Sequence, residues 1–420
     1  MKVDLPYGEG VLSVDLPASS TVIEPSHHPG VEDPHAALRE ALTRPVAGPP
    51  LRSLVHKGQT VAISVCDGTR PQPRALVVNA ILEQLVGIVD LSDVVVLVAT
   101  GTHRPNTPAE IESMLGAVLA GTVRVVNHDC RDPANLSYVG LLGDRVPVWL
   151  NSEWLAADVR ITTGLVEPHF FAGFSGGPKM VAPGLAGLDT VLVLHDAKRI
   201  GHPQARWGVI DGNPIQSDIR AIALATGVDF ALDVMVNREQ QIVAAFGGDL
   251  LAMHHAATTL CRSISMVPVE APFEVVITTN SGFPLDQNLY QAGKGMSAAA
   301  EVVVNGGQII CAAECRHGFP GSYRDLLASG GSPAEMLQDI ESRTETVPDQ
   351  WGAQVHAKIL CQARVAVHCN GISDDDLVEV GLEATGDIGG FAREALVRAG
   401  PRARLCVLPD GPQTIPYIAV

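Results

Sequence analysis

Past residue 57 the chain alternates between two hydrophobic periods. GQTVAISVCD (58–67) is rich in β-branched residues and reads as a strand, RALVVNAILEQLV (74–86) spaces its apolar residues along one helical face, and DVVVLVAT (93–100) is a second buried strand. Thr107-Pro108-Ala109-Glu110 supplies an N-cap, a proline at the first helical position and a glutamate that can answer the cap, predicting a helix to about Ala120. A third strand follows at 123–128, then strands at 145–150 and 158–164 and a hairpin at 231–237 and 241–246. Strand, helix, strand, helix, strand at this spacing predicts an α/β fold with a doubly wound parallel sheet.

The segment MVPVEAPFE (266–274) has two prolines and no clear period, and the alternation restarts after it. A strand at 275–280, a helix at about 286–304 and a strand at 306–314 open a second unit. Helices near 322–329, 332–343 and 350–363, a strand at 364–369 and a helix near 390–399 complete it. The expected division is therefore an N-terminal α/β domain over 1–268, a smaller α/β C-terminal domain over 272–405 and a tail over 406–420 that returns to the first domain, with the active site in the cleft between domains. Residues 20–56, rich in Pro and His, read as an irregular arm with one short helix near 34–43.

Composition narrows the functional classes. A hydrophobic content of 46% with 18% charged residues excludes a disordered chain. The longest stretch free of Asp, Glu, Lys and Arg is 12 residues, at 250–261 and 302–313, too short to span a bilayer as a helix. The apolar residues must fill cores, and membrane is not an expected partner. A net charge of −17 without a basic run repels phosphate backbones, so nucleic acid is not expected either. The eight cysteines form no CxxC pair, and the N-terminus MKVDLPYGEG lacks an apolar signal core, so a cytoplasmic protein with reduced thiols is expected.

Polar residues gather where the first-domain strands end. The first strand runs into Asp67-Gly68-Thr69-Arg70-Pro71 and the second into Thr100-Gly101-Thr102-His103-Arg104-Pro105. Ligands of parallel sheets bind beyond the carboxyl ends of strands, which puts Asp67, Arg70 and His103 on one rim. The segment Glu167-Pro168-His169-Phe170-Phe171-Ala172-Gly173-Phe174-Ser175-Gly176-Gly177-Pro178-Lys179 follows another strand. Its glycines suit a phosphate cradle, yet Pro178 and Met180 flank the lysine where a P-loop requires Gly and Ser or Thr, so a nucleotide triphosphatase is disfavoured. In one unbroken helix Lys179 and His195 would stand roughly 24 Å apart. Ala182-Pro183-Gly184 breaks that helix, and a turn there can bring both to one ligand. Tyr290, Gln291 and Lys294 share a helix on which Lys294 lies one turn from the other two, set to meet a carboxylate or phosphate in the cleft. Trp351 opens a later helix and by itself reads as packing, while His27-His28 and His254-His255 read as surface.

Taken together, DGTRP at 67–71, ATGTHRP at 99–105, EPHFFAGFSGGPK at 167–179, His195, YQAGK at 290–294 and Trp351 resemble the nickel-dependent lactate racemase family, in order over residues 50–360. The resemblance implies a nickel-pincer nucleotide, a pyridinium mononucleotide with two sulfur arms, made by separate cofactor-biosynthesis enzymes. It implies that Lys179 tethers this cofactor covalently and that His195 is the protein ligand to nickel. His103 and His169 resemble the two catalytic histidines. Arg70, Lys294, Tyr290 and Trp351 resemble substrate contacts, and Asp67, Thr69 and Gln291 cofactor contacts. The implied activity is racemisation or epimerisation of a 2-hydroxy acid by hydride removal to a 2-keto acid and return to the other face. Two further readings stay open: a dehydrogenase using free NAD, for which the GxGxxG fingerprint is missing after the first strand, and a catalytically silent nickel- or nucleotide-binding protein.

Overall fold

The computed structural model describes residues 1–328 and 331–419. The apolar run Val61–Cys66, buried along its whole length, is an interior strand of a six-stranded sheet. Across the sheet the order is Ile242–Gly248, Phe230–Val236, Val159–Leu165, Val61–Cys66, Val94–Ala99, Arg124–Asn127. All run parallel except Ile242–Gly248, which pairs antiparallel with Phe230–Val236 as the expected hairpin. From Val61–Cys66 the chain steps outward twice to one side and then returns to Val159–Leu165 on the other. The loops leaving Val61–Cys66 and Val159–Leu165 thus diverge, and a crevice opens at this switch point.

One face of the sheet is covered by helix Arg74–Leu85, which buries Val77, Val78, Ile81 and Leu85 with Leu38 and Leu42 of helix Pro34–Thr43. The other carries Trp154, Phe174, Leu194, Ile219 and Met253. The capping box at Thr107 and Glu110 is present. The helix it opens stops at Leu115, where Gly116 turns to a φ of +81° before Ala117–Thr122 resumes. Residues 146–151 do not join the main sheet; they pair with Leu136–Leu142 in a separate antiparallel ribbon.

The second sheet is wholly parallel, in the order Glu383–Ala384, Arg364–His368, Val303–Ala312, Phe273–Thr279, Leu405–Leu408, Thr21–Val22. The division into 1–268, 272–405 and 406–420 is corrected by packing. Lys2–Tyr7 and Gly10–Asp15 form an antiparallel hairpin whose Val3, Leu5, Tyr7 and Val14 bury against Val275, Ile277, Ile310 and Val407 of this second sheet. Strand Leu405–Leu408 belongs to the same sheet, and Ile415–Ile418 pairs with Met266–Val269. Of the helix expected at 322–329, Tyr323–Ala328 forms, and Ser329 lies outside the described residues, as does Val420 at the end of the tail. Helix Gln350–Gln362 bridges to the first domain, where Gln354 Nε2 donates to the Ala197 carbonyl at 2.8 Å.

Among the glycines of the 167–179 segment, Gly173 meets the tightest constraint. Its φ is +75°, and a Cβ there would lie 2.1 Å from the Val209 carbonyl oxygen. Gly173→Ala is expected to cost about 2 kcal/mol or more, read as a lowered midpoint in thermal denaturation.

Candidate active site

The loops at the switch point carry the candidate polar side chains. Asp67, Thr69 and Arg70 leave Val61–Cys66, His103 lies beyond Val94–Ala99, and His169 and Lys179 follow Val159–Leu165. Facing them, helix Leu289–Ala300 presents Tyr290, Gln291 and Lys294 from the second domain, and Trp351 enters from the start of Gln350–Gln362. Together with His195, all eleven side chains singled out from the sequence line one cavity of about 170 Å³ between the domains.

Two of the three histidines of this cavity, His103 and His169, differ in environment. The His103 ring is 45% exposed and its Nδ1 lies 2.7 Å from Asp67 Oδ2. A carboxylate only accepts, so Nδ1 carries the proton and Nε2 presents a lone pair. Burial opposes the Asp67 charge, but hydrogen bonds from His103 and Thr69 and the nearby Arg70 outweigh it and bring the carboxyl down to about 2. His169 is buried, and its Nδ1 accepts from the backbone N–H of Ala172 at 3.2 Å. The proton of its neutral ring therefore sits on Nε2. Burial, reinforced by the charges of Lys179, Lys294 and Arg70, keeps the ring neutral by driving its pKa well below the ordinary histidine value.

Three cations converge here in a strongly acidic chain. Desolvation and the Arg70 charge depress Lys294 to about 7, with Glu167 and Asp67 offsetting part of the effect. Lys179 is driven well below the ordinary lysine range by desolvation and by Arg70 and Lys294. Its Nζ stands 5.7 Å from the Phe171 ring centroid and has no hydrogen bond or ion pair among the described residues. An unpartnered amine shifted toward its neutral form is suited to act as the nucleophile for a covalent tether. Among the described residues Arg70 makes one ion pair, to Glu167 at 3.1 Å. An anion with a phosphate or carboxylate fits this setting better than a neutral ligand does.

The break at Ala182-Pro183-Gly184 does the work expected of it. The Gly184 N–H donates to the Lys179 carbonyl, the chain turns, and helix Leu188–Leu194 ends with His195 on the cavity. His195 Nδ1 donates to the Val191 carbonyl at 2.8 Å, which leaves Nε2 with its lone pair. Phe171 meets the ring edge-on at 5.2 Å and Trp351 packs at 4.8 Å. Burial pushes this imidazole down to about 4, so it is neutral and ready to ligate. No group of three or more His, Cys, Asp or Glu that could hold a metal exists among the described residues. A metal bound here must take its other donors from a non-protein ligand, and one imidazole beside a free amine fits a nickel-pincer nucleotide in that way. Trp351 does more than pack: its Nε1 donates to the Tyr290 hydroxyl at 2.8 Å.

Two supporting groups went unread in the sequence. Asp233, buried in Phe230–Val236, accepts from the Gly177 N–H at 2.6 Å, and a Cβ on Gly164 or Gly176 would collide with its carboxylate. An acid inside the apolar run FALDVMV was the available signal. His254 is not on the surface. It is fully buried behind Gly177, and its Nε2 donates to the Ser175 carbonyl at 3.0 Å. It packs on the inward face of helix Leu250–Ser265 while His255 points outward, so the pair had to be split by helical period. His27 and His28 line a second cavity of about 810 Å³, which gives the first part of the 20–56 arm a location.

Proteins of one family resemble this chain along nearly its whole length. Residues 7–208 match the model of the lactate racemase N-terminal domain and residues 269–415 that of the lactate racemase C-terminal domain. The lactate racemase of Thermoanaerobacterium thermosaccharolyticum is 33% identical over 98% of both chains, and that of Lactiplantibacillus plantarum 32% identical over 97% of this chain and 98% of its own. The solved structure of the lactate racemase apoprotein from T. thermosaccharolyticum superposes with a TM-score of 0.92 at 31% identity, covering 99% of this chain and all of the other. With two family domains in order and relatives matched end to end, the chain belongs to the lactate racemase family.

Proposed function

We propose that the protein inverts the carbinol carbon of a 2-hydroxy acid, lactate or a close relative, with a nickel-pincer nucleotide supplied by separate cofactor-making enzymes. The observation that carries this reading is a single interdomain cavity in which two histidines of opposite resting tautomer face a cluster of cations. When bound, the nucleotide supplies the hydride acceptor that inversion at a weakly acidic C–H requires. Lys179 would hold it covalently and His195 Nε2 would ligate its nickel, with Asp67, Thr69 and Gln291 around it.

The remaining steps belong to the chain. Arg70 and Lys294 hold the substrate carboxylate, fixing the carbinol carbon, while Tyr290 and Trp351 close the second-domain side. His103 Nε2 takes the hydroxyl proton of one enantiomer, and the imidazolium that forms is stabilised by the Asp67 carboxylate. His169 offers Nε2–H to the substrate oxygen from the far side of the Asp67–Arg70 loop, since its strand and that of His103 flank Val61–Cys66. To serve as base for the mirror-image substrate its proton must move to Nδ1, which gives up the contact with Ala172. The apolar wall of Phe170, Phe171 and Trp351 excludes water during these transfers.

His103→Ala and His169→Ala are each expected to lower inversion at least about 100-fold, measured by chiral chromatography, while the mass adduct on Lys179 persists. His195→Ala is expected to lose nickel by metal analysis; full nickel occupancy in that variant would overturn its assignment as ligand. Lys294 captures an anion only when protonated. Carboxylate affinity of the cofactor-free protein is therefore expected to fall as pH rises through about 7, and Lys294→Arg, charged throughout, to flatten that profile in calorimetric titrations.

A further inference from the structure

The larger cavity and the candidate active site share Thr69, Arg70 and Leu165 as a common wall. Glu167 faces the larger cavity and lies 3.1 Å from Arg70 across that wall. The pair lacks the alignment of a good hydrogen bond. Among the described residues the terminal nitrogens of Arg70 reach only Thr69, its carbonyl and hydroxyl both at 3.4 Å. The guanidinium fork is therefore largely unspent. Asp67, the other acid near the cations, is committed to His103 and Thr69. Among the described residues the Glu167 carboxylate has no partner except Arg70. Its backbone is pinned, because its N–H donates to Ser175 Oγ and its carbonyl accepts from the Ser175 N–H. Only the side chain is free to move, and the 810 Å³ cavity beside it offers solvated space.

We propose that Glu167 is the resident counter-ion of Arg70: its carboxylate neutralises the guanidinium until the carboxylate of the 2-hydroxy acid displaces it into the larger cavity. Glu167 is thus a positioning residue that sets substrate affinity. With it in place, Arg70 is held at the wall, pointed at the site, and the cluster formed with Lys179 and Lys294 is partly balanced. The cost is competition, because every incoming carboxylate must break an existing ion pair. The proposal rests on the racemase reading for the identity of the displacing anion.

The test titrates L-lactate, and separately inorganic phosphate, into the full-length cofactor-free protein and its Glu167→Gln variant. Glu167→Gln is expected to bind lactate about fivefold more tightly, the scale of one half-exposed ion pair. In cofactor-loaded protein KM is expected to fall by a similar factor and kcat to move less, whereas Glu167→Asp, which keeps a carboxylate on a shorter arm, is expected to fall between wild type and Glu167→Gln. Equal or weaker lactate binding by a folded Glu167→Gln protein overturns the proposal, as does tightening for phosphate alone, which would assign Arg70 to the cofactor. Should Glu167→Gln fail to fold, the wild-type Arg70 Nε–H resonance decides: saturating lactate must shift it, and an unmoved signal overturns the proposal. Absence of turnover in loaded wild-type protein would sink the racemase reading and leave the binding result standing.

Discussion

The structure around the cavity depends on holding three cations, Arg70, Lys179 and Lys294, against one another where water is scarce. Like charges at short range in low dielectric repel strongly, and desolvation adds several kcal/mol per ion. The protein meets this cost in two ways. Lys179 and Lys294 are shifted toward their neutral forms, and two carboxylates, Glu167 and Asp67, share the balancing charge. What remains is a pocket that an anionic ligand stabilises. The chain's net charge of −17 sharpens the contrast, since the site is a positive island within a negative molecule.

Holding that cluster together is a matter of backbone. Asp233 and His254 grip the 175–177 turn from behind through main-chain hydrogen bonds, and the glycines at 164, 176 and 177 are there because no Cβ fits against them. The same turn sets Lys179, and the turn at Ala182-Pro183-Gly184 then sets His195. Rigid strands end at the site while Asp67, Arg70, His103, His169 and Lys179 sit on the loops past them. Such an arrangement fixes position without burying the reactive atoms in the sheet.

The two domains contribute unequal parts. The first supplies His103, His169, His195, Lys179 and Arg70; the second brings Lys294, Tyr290, Gln291 and Trp351 across the cleft. Their registry is held by contacts such as Gln354 to the Ala197 carbonyl and Trp207 Nε1 to Ser297 Oγ at 3.1 Å. Neither domain alone assembles the cation cluster.

Local pattern was enough for much of this. Buried parallel strands announce themselves as continuous apolar runs, so Val61–Cys66, Val94–Ala99, Val159–Leu165 and Phe273–Thr279 were legible; the motifs after the first three marked Asp67, Thr69, Arg70, His103, His169 and Lys179, whereas His195 and Trp351 stood out only through the family resemblance. Short or mixed strands were not legible. Thr21–Val22 and Leu405–Leu408 are strands because of partners far along the chain in the second sheet, and the hairpin of Lys2–Tyr7 with Gly10–Asp15 finds the surface that buries it there as well; no local period encodes that. Ionisation and orientation were equally hidden: which histidine nitrogen holds a proton depends on whether Asp67 or the Ala172 amide faces it. The sequence by itself determined the fold class, the family likeness and a set of candidate residues that share one cavity. The tertiary structure decided which groups share charge across the cleft, because electrostatic coupling is set by distance and desolvation, and neither exists until the chain has folded.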